Sequence, residues 1–255
     1  MIEIIFLGVG EAFDEGLPNT SVLVRFKNGR STINILLDCG ATAPSQLWCE
    51  TSSVDDLDGV WISHFHADHT FGLPALLVRS SEERRKKTLT VLGQKGIEAF
   101  VRGCLELAYP GFYKNLSFPV NYLEVEPTTV VKFSGLTFRT AENNHSQRDL
   151  ALRIDFHGKS IYFSGDGTAT AECMALAQGS QLIIHESFLI DTEIHGHGTV
   201  MGSIEMAKKS RAPNLALVHI HRRERGKVVK TVKKLLGGHA NLNVMVPEPG
   251  YRFKL

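Results

Sequence analysis

Short apolar runs separated by turn-forming residues occupy most of the chain. IEIIFLG (residues 2–8) precedes the Gly-, Pro- and Asn-bearing GEAFDEGLPN (10–19). TSVLVRF (20–26), a KNGRS hairpin signal (27–31) and INILLDCG (33–40) follow. Apolar and β-branched runs bounded by Gly, Asn and Pro read as strands, and the break at KNGRS as a tight hairpin. LDGVWISH (57–64) is a further buried strand. Residues 73–87 read as a helix running out into the charged SSEERRKK, taken as a solvated helix end or loop. TLTVLG (88–93) is a strand, and KGIEAFVRGCLELA (95–108) has apolar residues at helical spacing.

The second half repeats the style. VNYLEVE (120–126), TVVKFSG (129–135) and LTFRTAEN (136–143) read as strands, and LALRIDFHGKSIYFSGDG (150–167) as a hairpin turning at His157-Gly158. Beyond Asp166 the pattern becomes βαβα: a helix near 170–178, the strand QLIIHES (181–187), a helix near 199–210, the strand NLALVHI (214–220) and a helix near 225–236. Two runs of strands, each closed by helices, predict two sheets packed face to face with helices outside, an α/β fold of the αββα sandwich type. No linker, low-complexity segment or close repeat divides the chain, so residues 1–255 are expected to form one domain.

Composition narrows the function classes. The chain has 255 residues, 43% hydrophobic, enough for a substantial core. A net charge of +1 argues against a protein that coats nucleic acid through bulk charge. No apolar run reaches the roughly 18–20 residues needed to cross a bilayer, so no membrane association is expected. The N-terminal run lacks a basic n-region and a cleavage site and reads as a strand, not a signal peptide. Four scattered cysteines with no CxxC pair are expected to be reduced and buried, which suits a cytoplasmic protein.

Eleven histidines are the compositional oddity, and their placement carries the chemistry. In VWISHFHADHTFG, the side chains of His64, His66, Asp68 and His69 follow directly on an apolar strand. Metal binding needs neutral imidazoles and ionised carboxylates converging from a rigid support. One tight turn can offer a pair of ligands to one ion and a second pair to its neighbour. His145, Asp166 and His219 each lie just past an apolar run. Any one of them alone is equally well explained as a capped strand end, but together with the cluster they make a coherent seven-ligand set at one sandwich edge.

HxHxDH, a strand-following His, SGD and a strand-terminal His together resemble the metallo-β-lactamase superfamily over essentially the whole chain. The resemblance implies that His64, His66 and His145 hold one ion, that Asp68, His69 and His219 hold another, and that Asp166 bridges them. His66 occupies the place of a Glu in the oxygen-reducing flavodiiron relatives, which favours two zinc ions, with Mn²⁺ or Fe²⁺ as alternatives. NTSVLVR…INILLDCG, IIHES, GHGT ahead of GSIEMAKKS, and LALVHIHRRER are similar to ribonuclease Z, the tRNA 3′-end endonuclease. That resemblance implies His197 as proton donor to the leaving oxygen and Glu186 as its orienting partner. It further implies Asp68 orienting a hydroxide generated by two ions about 3.5–4 Å apart, and Arg223 pairing with a phosphate oxygen. His195 lacks the following Thr that marks His197. His157, His185, His221 and His239 are left as structural or surface residues.

Two departures stand out. Ribonuclease Z carries a long Gly/Pro-rich arm that grips tRNA, between the positions of His145 and Asp166; here only twenty residues intervene, in a simple hairpin. The family's HFSxRY signature is broken to HIHRRE. The expected function is therefore a dinuclear phosphodiesterase acting on a small or single-stranded phosphodiester. The alternatives are tRNA 3′-processing on precursor tRNA, or hydrolysis of a thioester, lactone or β-lactam. The basic stretches 85–87 and 221–234 offer limited phosphate contacts. A non-catalytic binding module is disfavoured because all seven ligands are present. In the ribonuclease Z branch a homodimer is common, and the charged 79–87 segment or the following helix would be its place.

Overall fold

A computed structural model describes residues 1–236 and 242–255; His239 lies outside the described residues. The first half supplies β1 (Ile2–Gly8), β2 (Ser21–Asn28), β3 (Ser31–Leu37), β4 (Gly59–Ile62), β5 (Leu89–Gly93) and β6 (Val120–Glu124). The second supplies β7 (Val131–Phe133), β8 (Leu136–Glu142), β9 (Leu150–Phe156), β10 (Lys159–Phe163), β11 (Leu182–Glu186), β12 (Asn214–Val218) and β13 (Asn243–Met245). The last strand, β14 (Arg252–Lys254), returns to pair antiparallel with β1. Two seven-stranded mixed sheets result, ordered β14-β1-β2-β3-β4-β5-β6 and β13-β12-β11-β10-β9-β8-β7.

The three-layer core follows from the strand patterns. Ile4, Phe26 and Trp61 of the first sheet meet Phe138, Ile154 and Ile184 of the second, all fully buried. Phe26 and Phe156 pack edge to face across the gap at 5.4 Å. The opposite face of the first sheet buries Leu36, Val60 and Val91 against α1 (Ala43–Glu50), α3 (Leu73–Glu82) and α4 (Ile97–Ala108). The outer face of the second buries Ile183 and Leu217 against α5 (Ala171–Leu176), α6 (Val200–Lys209) and α7 (Arg225–Leu236). Residues buried on both faces explain why β1, β4, β5 and β11 read as continuous apolar runs. The αββα sandwich expected from the pattern is the observed fold.

Local signals hold where backbone geometry is special. The β9–β10 hairpin turns through His157 and Gly158, both at positive φ (47° and 76°), as a type I′ turn requires. Elsewhere the structure departs from the pattern. The expected helix at 73–87 stops at Glu82, and a separate four-residue α2 (Ala67–Thr70) precedes it, with Pro74 opening α3. Arg85, expected in a solvated segment, is 1% exposed. Its guanidinium donates to the carbonyls of Leu57 (2.6 Å), Lys87 (2.8 Å) and Val54, so it braces the loop before β4 and has little left for phosphate. α1, β13 and β14 carried no clear periodicity. Cys39 and Cys173 are buried as expected, whereas Cys49 is exposed. Among the described residues no helix is long and apolar enough to cross a membrane.

Candidate metal centre and proton relay

The site is assembled at the carboxyl ends of strands, where α/β folds place their ligand crevices. β4 delivers His64 and the turn into α2, β8 leads to His145, β10 to Asp166, β11 ends in Glu186, and β12 ends one residue before His219. The seven residues singled out by the sequence gather into two groups of ligand atoms, His64/His66/His145 and Asp68/His69/Asp166/His219; a third joins Glu186, His197 and His219. Gly40 allows the turn to close: a Cβ there would sit 1.9 Å from the Asp68 carbonyl oxygen.

Three of the five candidate imidazoles, His64, His69 and His145, have one nitrogen tied off, which fixes the tautomer and aims the other inward. His64 Nδ1 lies 2.8 Å from Asp149 and 3.0 Å from the Ser63 hydroxyl, and His69 Nδ1 lies 2.7 Å from Asp38. His145 Nδ1 donates to the Gly196 carbonyl at 2.5 Å. The inward nitrogens converge. His66 Nδ1 is 3.0 Å from His64 Nε2 and 3.2 Å from His145 Nε2. In the second group His219 Nε2 is 3.3 Å from both Asp68 and Asp166, and His69 Nε2 is 3.1 Å from Asp68.

His64 and His145, whose outer nitrogens already donate, turn bare Nε2 atoms toward His66 Nδ1. Asp166 Oδ1 is buried without any hydrogen-bond partner, and a buried unsatisfied carboxylate oxygen is costly. The donor set of imidazole nitrogens and carboxylate oxygens fits divalent ions of the zinc type. The charges agree. Burial alone would raise the Asp68 pKa, but hydrogen bonds from His219 and His69 outweigh it and hold the carboxyl well below its usual range. Burial is likewise overridden at Asp166 by His219 and His69, which keep it ionised. Burial and the neighbouring His64 and His145 push His66 down, toward the neutral form a metal needs.

Glu186 is fully buried. One of its oxygens accepts from the Gly167 and Gly198 N–H groups at 3.0 and 2.7 Å, while the other faces His197 Nδ1 at 2.6 Å. A Cβ at Gly167, whose φ is +111°, would meet Asn144 O at 2.8 Å, so glycine is required beside this carboxylate. Phe188 stacks on the His197 ring at 4.4 Å and 20°. His197 and the metal-site residues His66, Asp68, His145, Asp166 and His219 line one cavity of about 570 Å³.

Arg223 is exposed and does not line this cavity; its neighbour Arg222 does. His195 is exposed, His185 is buried with Nδ1 on the Glu186 carbonyl at 2.5 Å, and His221, left as structural, lines the cavity. Sequence reasoning missed Asp38, Asp149, Phe188, Glu11 and Arg222. The first two are polar residues flanking strands, a weak signal; the others have none, because their partners are distant in the chain.

Comparisons with known proteins agree with the fold. Ribonuclease Z of Bacillus velezensis is 25% identical across 88% of this chain and 90% of its own length. That alignment runs over 281 positions, more than the chain contains, so the relative carries segments that this protein lacks. The metallo-β-lactamase fold protein YhfI from Bacillus subtilis superposes with a TM-score of 0.79 at 19% identity, covering 99% of this chain and 98% of that one. Human tRNase Z, short form, gives 0.77 at 23% identity with the same coverage. The chain is thus a metallo-β-lactamase-superfamily protein close to ribonuclease Z. A family model described as anti-Pycsar protein Apyc1 matches residues 2–227, most of the chain, and the protein belongs to that family.

Proposed function

We propose that this metal-dependent hydrolase cleaves a small phosphodiester at a two-ion site, with His64, His66 and His145 holding one ion, Asp68, His69 and His219 the other, and Asp166 between them. The observation that carries this reading is that His197, held by Glu186, lines the same cavity as five of the seven candidate ligands. Two divalent ions, zinc by the donor set with manganese or iron as alternatives, would supply positive charge opposite the phosphoryl oxygens and bring the pKa of water to about 7.

The chain's own residues account for the rest. Asp68, held ionised, accepts a hydrogen bond from the attacking water and orients it. Glu186 accepts from His197 Nδ1–H and so stabilises the doubly protonated imidazolium, whose Nε2–H gives its proton to the departing alkoxide and leaves the neutral ring. An alkoxide needs such a donor far more than a thiolate does, which disfavours a thioester. A small substrate is supported by the hairpin β9–β10, which takes up most of the short interval between His145 and Asp166. The cavity falls within the roughly 300–1,000 Å³ of small-molecule sites.

His197→Ala is expected to lower kcat on bis(p-nitrophenyl) phosphate by about 10²–10⁴-fold while the metal content stays at the wild-type value. Loss of metal would make His197 a ligand instead. Asp166→Ala should remove at least one ion by elemental analysis. A panel of bis(p-nitrophenyl) phosphate, a cyclic nucleotide, precursor tRNA and a thioester, on zinc- and manganese-loaded protein, tests the substrate class. Precursor tRNA cut at its 3′ end in preference to the small diesters would overturn it.

A further inference from the structure

Resting on the small-phosphodiester reading above, we infer that Phe13 is a stacking platform for a nucleobase, set at the mouth of the cavity by Glu11 and Arg222. Phe13 is 78% exposed yet lines the same cavity as His66, Asp68, Asp166 and His197. A lone exposed apolar side chain needs no explanation on a protein surface. The backbone beneath this one does.

Glu11, two residues earlier, is 2% exposed. One of its carboxylate oxygens accepts the Phe13 N–H at 2.7 Å, and the other is paired with the Arg222 guanidinium. Burying a carboxylate is costly unless it is paired and hydrogen-bonded, and here both oxygens are committed to holding the loop and its aromatic residue. On the other side of Phe13, Asp14 Oδ1 accepts from the Gly16 and Leu17 N–H groups at 2.9 and 3.0 Å, closing a tight turn. At the base, the Thr20 hydroxyl donates to the Gly10 carbonyl at 2.9 Å. The loop is therefore tied at its root and on both sides of the ring, and the phenyl group is left to solvent. Arg222 also lines the cavity, but its guanidinium faces Glu11 and, at 3.9 Å, Glu15. It is a positioning residue for the loop and not a free phosphate ligand.

A phenyl face offers no hydrogen bond, so the group it takes is planar and apolar on its faces. Beside a phosphodiester site, that group is the base of a nucleotide. Stacking of a base on an aromatic side chain corresponds to roughly a tenfold to hundredfold change in affinity on truncation to alanine.

The test uses metal-loaded wild type, Phe13→Ala and Phe13→Trp. Binding of adenosine 5′-monophosphate and of ribose 5-phosphate is measured by calorimetry. Hydrolysis is followed for adenosine 3′,5′-cyclic phosphate and for the base-free ribose 3,5-cyclic phosphate. Wild type should bind the nucleotide about tenfold or more tightly than the sugar phosphate. Phe13→Ala should erase that preference and raise KM for the nucleotide alone, with kcat kept within about twofold, and Phe13→Trp should restore both. Equal losses on base-containing and base-free ligands, or no preference in wild type, would overturn the assignment. Absence of hydrolysis in every protein would sink the phosphodiesterase reading, while the calorimetric comparison would still decide the role of Phe13.

Discussion

Two of the seven candidate ligands, His64 and His69, are set by carboxylates outside the ligand set, Asp149 and Asp38. Asp38 holds His69 at 2.7 Å and also accepts from the Ser63 N–H and hydroxyl at 2.8 Å, while sitting at φ 58°. That left-handed conformation is strained for most residues but tolerated by Asp. Asp38→Asn keeps the shape and removes the charge that anchors the imidazole. Metal affinity, read by chelator competition, should fall about 10–100-fold with the circular dichroism spectrum unchanged. Unaltered affinity would reduce Asp38 to a brace between strands. At this scale the sequence disclosed four of the seven candidate ligands most plainly, because HxHxDH packs them into six positions. It did not disclose Asp38 or Asp149, whose meaning depends on which imidazole the fold brings to them.

Among the elements, α2 carries Asp68 and His69 on a single turn of helix packed against Gly40. Gly40→Ala forces a clash with the Asp68 carbonyl, and overpacking of this kind costs about 1–3 kcal/mol. Melting temperature and bound metal should fall together. In Gly103→Ala, by contrast, the new methyl meets nothing within 4 Å in mid-α4, and the change should raise stability by about 0.4–1 kcal/mol. A fall in melting temperature would contradict the open setting of Gly103. The loop after β1 has its own pH dependence. Burial alone would raise the Glu11 pKa, but the Phe13 N–H and Arg222 outweigh it, so the folded value lies below the ordinary 4.5. A depressed carboxyl contributes stability that is complete above pH 4.5 and is lost as pH falls through the folded value. The stability gap between wild type and Glu11→Gln should therefore be widest near neutrality and shrink as pH drops below 4.5. A gap that is constant with pH would mean that the ionised pair contributes nothing. Strands with apolar runs were legible because both faces are buried; α1 and β14 were not, because three to eight residues without strong periodicity take their structure from their neighbours.

Across the whole molecule, five carboxylates that are largely or fully buried, Asp38, Asp68, Asp149, Asp166 and Glu186, converge on one edge. Ions bound there should stabilise the fold by about 2.7 kcal/mol per site at one hundred times the dissociation constant. Chelation should lower the melting temperature reversibly, with recovery on adding zinc or manganese; an unchanged transition would argue against metal at this edge. Because binding acts only on the folded state, the shift should grow with metal concentration. The sequence by itself determined the two runs of strands, the sandwich they make, the ligand set and the His197–Glu186 candidates. The strands and the cluster of candidate ligands are written in periodicity and in local motifs, whose physics acts over a few residues, whereas His197 and Glu186 were singled out by the resemblance to ribonuclease Z. Only the tertiary structure decided that Glu186 reaches His197, that Arg222 and not Arg223 borders the cavity, that Arg85 is a buried brace, and that Phe13 stands over the site on a buried carboxylate. Those outcomes depend on which strand ends the two sheets bring together, and no local pattern encodes contacts made between residues far apart in the chain.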